Sequence, residues 1–77
     1  MTALRVGDRV RYRPRFGDGI PTEGVVRALE VTDGHDAYGD EVEEINADIF
    51  AARRFVADLD GGGWAYGHQV DEVLPRR

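Results

Sequence analysis

Seventy-seven residues without a single cysteine allow one domain (1–77) with a modest core and exclude both a disulfide framework and a thiolate metal site. The net charge of −5 argues against indiscriminate binding to nucleic acid, and the longest apolar run is too short for a membrane-spanning helix. The charge is also segregated. Residues 1–29 carry six Arg against Asp8, Asp18 and Glu23, residues 30–52 carry eight acids and no base, and the remainder balances.

The opening Met-Thr-Ala-Leu-Arg has no apolar signal stretch and leads into Val6-Gly7-Asp8, a turn before a strand. A reducing, cytoplasmic setting is expected. From Arg9 to Phe16 the pattern has period two: Val10, Tyr12, Pro14 and Phe16 on one side, Arg9, Arg11, Arg13 and Arg15 on the other. Pro14 cannot donate to a ladder, so this strand lies at an edge or ends near Arg13. Residues 16–21 form a Gly/Pro-punctuated loop. Glu23 to Thr32 is the second strand, and its Val25-Val26 pair predicts either burial on both faces or a bulge.

After the polar turn Gly34–Gly39, two readings compete. Val42, Ile45, Ile49 and Ala52 recur at helical steps, with Asp40 and Glu43 at capping-box spacing and Arg53-Arg54 at the end. Alternatively, Glu41 to Ile45 is a strand paired back onto Glu30–Thr32, and a helix starts with Asn46 as its N-cap. Both make Ala47 to Arg53 helical. Phe55–Leu59 is a strand with Phe55, Ala57 and Leu59 on one side, followed by the hairpin loop Asp60–Gly63. Trp64–Tyr66 returns, Gly67-His68-Gln69 turns, and Val70–Leu74 is a last strand stopped by Pro75. About five short antiparallel strands, most with one apolar face, predict a mostly β, small closed barrel with one short helix in an acidic insertion at about 33–53.

Three pieces carry a family resemblance. Val6-Gly7-Asp8-Arg9-Val10 resembles the opening of SH3-like small barrels of the bacterial, Tudor-like or KOW-like kind. Glu23-Gly24-Val25-Val26 resembles their second strand, and Asp58 to Val73 resembles their terminal hairpin, single turn and last strand. The acidic insertion departs from the plain pattern. The resemblance implies a binding module for peptides, modified side chains, RNA or DNA, with the choice left open.

Trp64 and Tyr66 share one side of their strand. They form either a recognition ledge, joined by Tyr12 or Phe16, or the main mass of the core. The Arg stripe (Arg9, Arg11, Arg13, Arg15) spaces its charges as a row of phosphates or carboxylates requires. The competing readings are a solvated face and an intramolecular match to the acidic block. Asp33, His35, Asp36 and Asp40 lie close together but fail the calcium-loop pattern, so no metal and no cofactor is expected. Asp58 and Asp60 flank a glycine turn, where Asp is ordinary. The chain contains no Ser and no Cys, and no catalytic motif is present, so no enzyme activity is expected.

The leading expectation is a non-enzymatic binding or adaptor module, a monomer or weak homodimer, without membrane contact. It meets a protein partner through Trp64, Tyr66, Glu41, Glu43, Glu44 and Asp48. The alternatives are a nucleic-acid or ribonucleoprotein binder using the Arg stripe, and a small phage-like inhibitor whose acidic face mimics nucleic acid.

Overall fold

The computed structural model describes residues 2–14, 19–32 and 39–75. Its elements are β1 (Thr2–Arg5), β2 (Arg9–Tyr12), β3 (Thr22–Val31), β4 (Asp40–Val42), β5 (Glu44–Asn46), α1 (Ala47–Ala52), β6 (Phe55–Leu59), β7 (Trp64–Tyr66) and β8 (Val70–Val73). Among the described residues the molecule is mostly β, with eight antiparallel strands and one short helix. The five expected strands correspond to β2, β3, β6, β7 and β8. Strand β1 is additional; β4 and β5 fall on the strand that the second reading of the insertion puts at Glu41 to Ile45, β4 pairing with β3 as that reading has it and β5 pairing with β1 instead.

The long strand β3 organises the main sheet, whose order is β7-β6-β3-β2-β8, with β4 also paired to β3. One edge of β3 serves two partners in succession. Thr22–Val25 pair with β2, and Leu29–Val31 pair with β4. The other edge, from Val26 to Val31, pairs with β6. Between the two halves the register with β6 shifts between Val26 and Ala28, so the extra residue is Arg27, just beyond the Val25-Val26 pair rather than within it. An added residue bends and twists a strand, letting one strand belong to two differently oriented ladders. The Asp60 carboxylate accepts the Val25 N–H at 2.9 Å and so ties the hairpin loop to this bend. The two end strands of the sheet, β7 and β8, are joined by the single 3₁₀ turn Gly67–Gln69. The sheet therefore curls until its ends are neighbours in the chain.

Alternation decides what goes inside. Val10, Val26, Leu29, Phe55, Ala57, Leu59, Ala65 and Val70 form the buried cluster, with Leu4 and Ile45 added from the small β1–β5 sheet. Tyr12 is half-buried, packs against this cluster and lies over Gly24, where an added Cβ would stand 3.3 Å from its ring.

Residues 40–42 and 44–46 are strand, not helix, in line with the second reading of the insertion. Asp40–Val42 lie against Leu29–Val31, and Glu44–Asn46 pair with β1. The helical steps of Val42 and Ile45 have a different origin: Val42 packs against the core from the main sheet and Ile45 is buried from the small one. Asn46 then caps α1, its side-chain oxygen accepting the Ile49 N–H at 2.8 Å. The acidic insertion is thus built into both sheets rather than standing apart. Ile49 and Phe50 pack on the core but remain half-exposed, and Phe50 stacks on Phe55 with ring centroids 5.5 Å apart.

Arg53 ends the helix in the left-handed region (φ 60°). Its guanidinium lies 5.0 Å from the Phe50 ring centroid and donates to the carbonyls of Val70 at 2.8 Å and Gly67 at 3.3 Å. Gln69, buried at 4% exposure, accepts the Tyr66 N–H at 3.0 Å and donates to the Arg13 carbonyl at 2.9 Å. The 3₁₀ turn is therefore clamped from the helix side and the β2 side at once. Among the described residues no helix is long and apolar enough to cross a membrane.

Candidate functional site

The register of β4, β3, β6 and β7 fixes which side chains share the outer face of this part of the sheet. One row runs Glu41, Glu30, Val56, Tyr66; the neighbouring row runs Ala28, Asp58, Trp64. The buried row between them, Val42, Leu29, Ala57 and Ala65, faces the core. Adjacent strands stand about 4.8 Å apart. Three steps from β4 to β7 therefore put the first acid and the aromatic edge about 14 Å apart on one surface.

At the β7 edge Trp64 is 48% exposed while its neighbour Ala65 is fully buried. The aromatic pair thus forms a ledge, and the small residue fills the crowded interior. Trp64 meets Tyr66 edge-to-face with centroids 4.8 Å apart, and His68 stacks on Tyr66 at 5.8 Å. Asp58 lies directly opposite Trp64 in the register. Tyr12 does not join this ledge, because it sits on β2 against the core. Phe16 lies outside the described residues.

At the far side of the face the β3 bulge opens a groove between β4 and the start of the chain. Val6 and Ala28 give it apolar walls and core-facing Val42 closes it from behind, while Glu41, Glu43 and Arg27 supply the charge. Val6 is held there by its N–H donating to the Glu43 carbonyl at 2.9 Å. Glu41 stands directly opposite Glu30 in the β3–β4 ladder. Like charges facing each other across two strands destabilise the pair, so this placement works against the stability of the sheet.

The expected contact residues are divided by the fold. Trp64, Tyr66 and Glu41 share the outer face, with Glu43 at the groove. Glu44 is on β5, opposite Arg5, and its carboxylate accepts the Thr2 hydroxyl. Asp48 is exposed in the first turn of α1. Glu30, Asp58, Val56, Ala28 and the groove residues Val6, Arg27 and Val42 complete the surface; none of them is among the contact residues expected from the sequence, where Asp58 is weighed only as a turn carboxylate and Val42 only as part of a helical pattern. The alternation of Phe55–Leu59 already places Val56 and Asp58 on the non-core side. The missing information was the partner strand.

The Arg stripe is shorter than its sequence pattern, since β2 ends at Tyr12 and Arg15 lies outside the described residues. Arg11 pairs with Glu72, and Arg13 with Asp71 at 3.1 Å. The partners come from the adjacent strand β8, not from the acidic block, because β2 and β8 are hydrogen-bonded neighbours with Arg11 in register with Glu72. Arg9 is exposed and has no ion pair among the described residues. Of the residues weighed for a metal, Asp33, His35 and Asp36 lie outside the described residues. Asp60 does not pair with Asp58; its carboxylate is committed to the Val25 N–H.

Comparison with protein-family models, with curated proteins and with solved structures returned no match to this chain.

Proposed function

We propose that this chain is a non-enzymatic binding module, an SH3-like small barrel that holds a protein partner on the outer face of β4, β3, β6 and β7. The observation that carries the reading is the register, which gathers Glu41, Glu30, Asp58, Trp64 and Tyr66 on one face. An exposed indole on a rigid strand is a low-entropy contact of the type enriched at interfaces. Acids placed against one another at a cost to stability point to a role outside the fold. The barrel assignment is supported by the bent, shared β3 and by the 3₁₀ turn joining the two end strands.

The nucleic-acid alternative draws less support, because Arg11 and Arg13 already hold carboxylates from β8 and would have to release them to reach phosphates. The test is affinity capture from cell extract, with nuclease present, using the wild-type chain and the variants Trp64→Ala and Glu41→Lys. Loss of the same nuclease-resistant partner from both variants, with melting curves intact, supports the reading. Retention of every partner by both, or capture that disappears with nuclease, refutes it.

A further inference from the structure

We infer that the occupant of this face is an extended, arginine- or lysine-rich segment of a protein partner, and that it places one basic side chain in the Val6/Arg27/Glu41/Glu43 groove and a second on the Trp64/Asp58 ledge. The inference rests on the preceding reading of the face as a protein-binding surface. Charge complementarity argues for the occupant. Glu30, Glu41, Glu43 and Asp58 stand against Arg27 and the exposed Arg54, which extends the β3–β6 ladder opposite Thr32, four acids to two bases and a balance of −2. The ion pairs found among the described residues, Arg11–Glu72 and Arg13–Asp71, use none of these acids. An acidic or phosphate-bearing partner would meet net repulsion on this surface.

The two ends of the face suit the two parts of a long basic side chain. In the groove, Val6 and Ala28 offer apolar wall to a methylene stem, while Glu41 and Glu43, beside Arg27, offer oxygens to its head. On the ledge, the Trp64 indole is half-exposed and Asp58 lies directly opposite it. A cation placed there meets an aromatic surface and a carboxylate together. Separation sets the spacing of the ligand. The ends are about 14 Å apart, and four residues of extended chain span about 13 Å with both side chains on the same side. A segment crossing the strands would therefore carry its basic residues at i and i+4.

The probe is a glycine-serine peptide carrying two arginines four residues apart, compared with the same peptide carrying two citrullines, which keep the shape and lose the charge. Trp64 is the only tryptophan in the chain, so its fluorescence reports the ledge. Backbone amide shifts of Ala28 and Val42 report the groove. The arginine peptide is expected to perturb both ends at low salt, and the citrulline peptide to bind at least about fivefold more weakly. Glu41→Gln and Asp58→Asn, neutral changes at exposed positions, should each weaken the arginine peptide while leaving the melting curve in place. Raising salt from about 0.05 M to about 0.3 M should weaken binding further. Equal shifts from the arginine and citrulline peptides, or shifts confined to β2 and β8, overturn the inference. If Trp64→Ala and Glu41→Lys abolish capture of a partner while the arginine peptide leaves the face unperturbed, the inference falls and the binding-module reading stands. If capture survives both variants as well, both fall.

Discussion

Gly67→Ala tests the clamp that holds the aromatic ledge in place. Gly67 is buried in the 3₁₀ turn between β7 and β8. A Cβ there would lie 2.7 Å from the Arg53 carbonyl oxygen and 2.9 Å from both its carbonyl carbon and its Cα. These are backbone atoms at the helix C-cap, so no side-chain rotation relieves the contact. Overpacking of this kind costs about 1–3 kcal/mol. Moving Arg53 aside also strains its bonds to the Gly67 and Val70 carbonyls, adding about 1 kcal/mol. The expected loss is about 2–4 kcal/mol, a large share of the stability of a domain this small. It should lower the melting temperature by roughly 10–25 °C, followed by circular dichroism. Gly61→Ala is the control. Gly61 has φ 82° with nothing within 4 Å of its added Cβ, so the cost is left-handed strain alone, about 1–2 kcal/mol. A Gly67→Ala protein that melts with the wild type, or above Gly61→Ala, would refute the clamp.

Further outcomes follow from individual contacts. Gln69→Leu leaves the Tyr66 N–H and the Arg13 carbonyl without their partner and should cost about 2–4 kcal/mol in urea titration; a loss under about 0.5 kcal/mol would show that both groups find other partners. Glu41→Lys replaces a like-charge pair with Glu30 by an opposite one and should raise stability by about 0.2–1 kcal/mol at low salt, whereas a clear loss would show that Glu41 is structurally engaged. Ile49→Ala should cost about 1–2 kcal/mol, less than a fully buried isoleucine, because Ile49 is half-exposed on α1; denaturant melts read the difference. Asn46→Ala removes the cap on Ile49 N–H and should cost about 1 kcal/mol, with Asn46→Asp retaining most of the stability.

Local chemistry was sufficient for β2, β3, β6, β7 and β8, for the turns and for the stretch that both readings of the insertion make helical. The alternation of Phe55–Leu59, the glycine run at 61–63 and Asn46, the cap of one of the two readings, each act over a few residues, and each is where the sequence pattern puts it, while the bulge falls at Arg27, just beyond the Val25-Val26 pair. Period two also separates the core-facing Ala65 from the outward Trp64 once the crowded interior is known to take the small side chain. What only the tertiary structure decided is pairing. Residues 40–46 satisfy helical and strand patterns equally, and the choice was made by a free edge of β3 beside Leu29–Val31 and by β1 beside Glu44–Asn46. The partners of the Arg stripe came from β8 because that strand returns alongside β2 after about sixty residues of intervening chain, a separation no local pattern encodes. The candidate face has the same origin. Glu41, Ala28, Asp58 and Trp64 belong to four strands, and only the ladder that aligns them makes a surface of residues that are ordinary one by one.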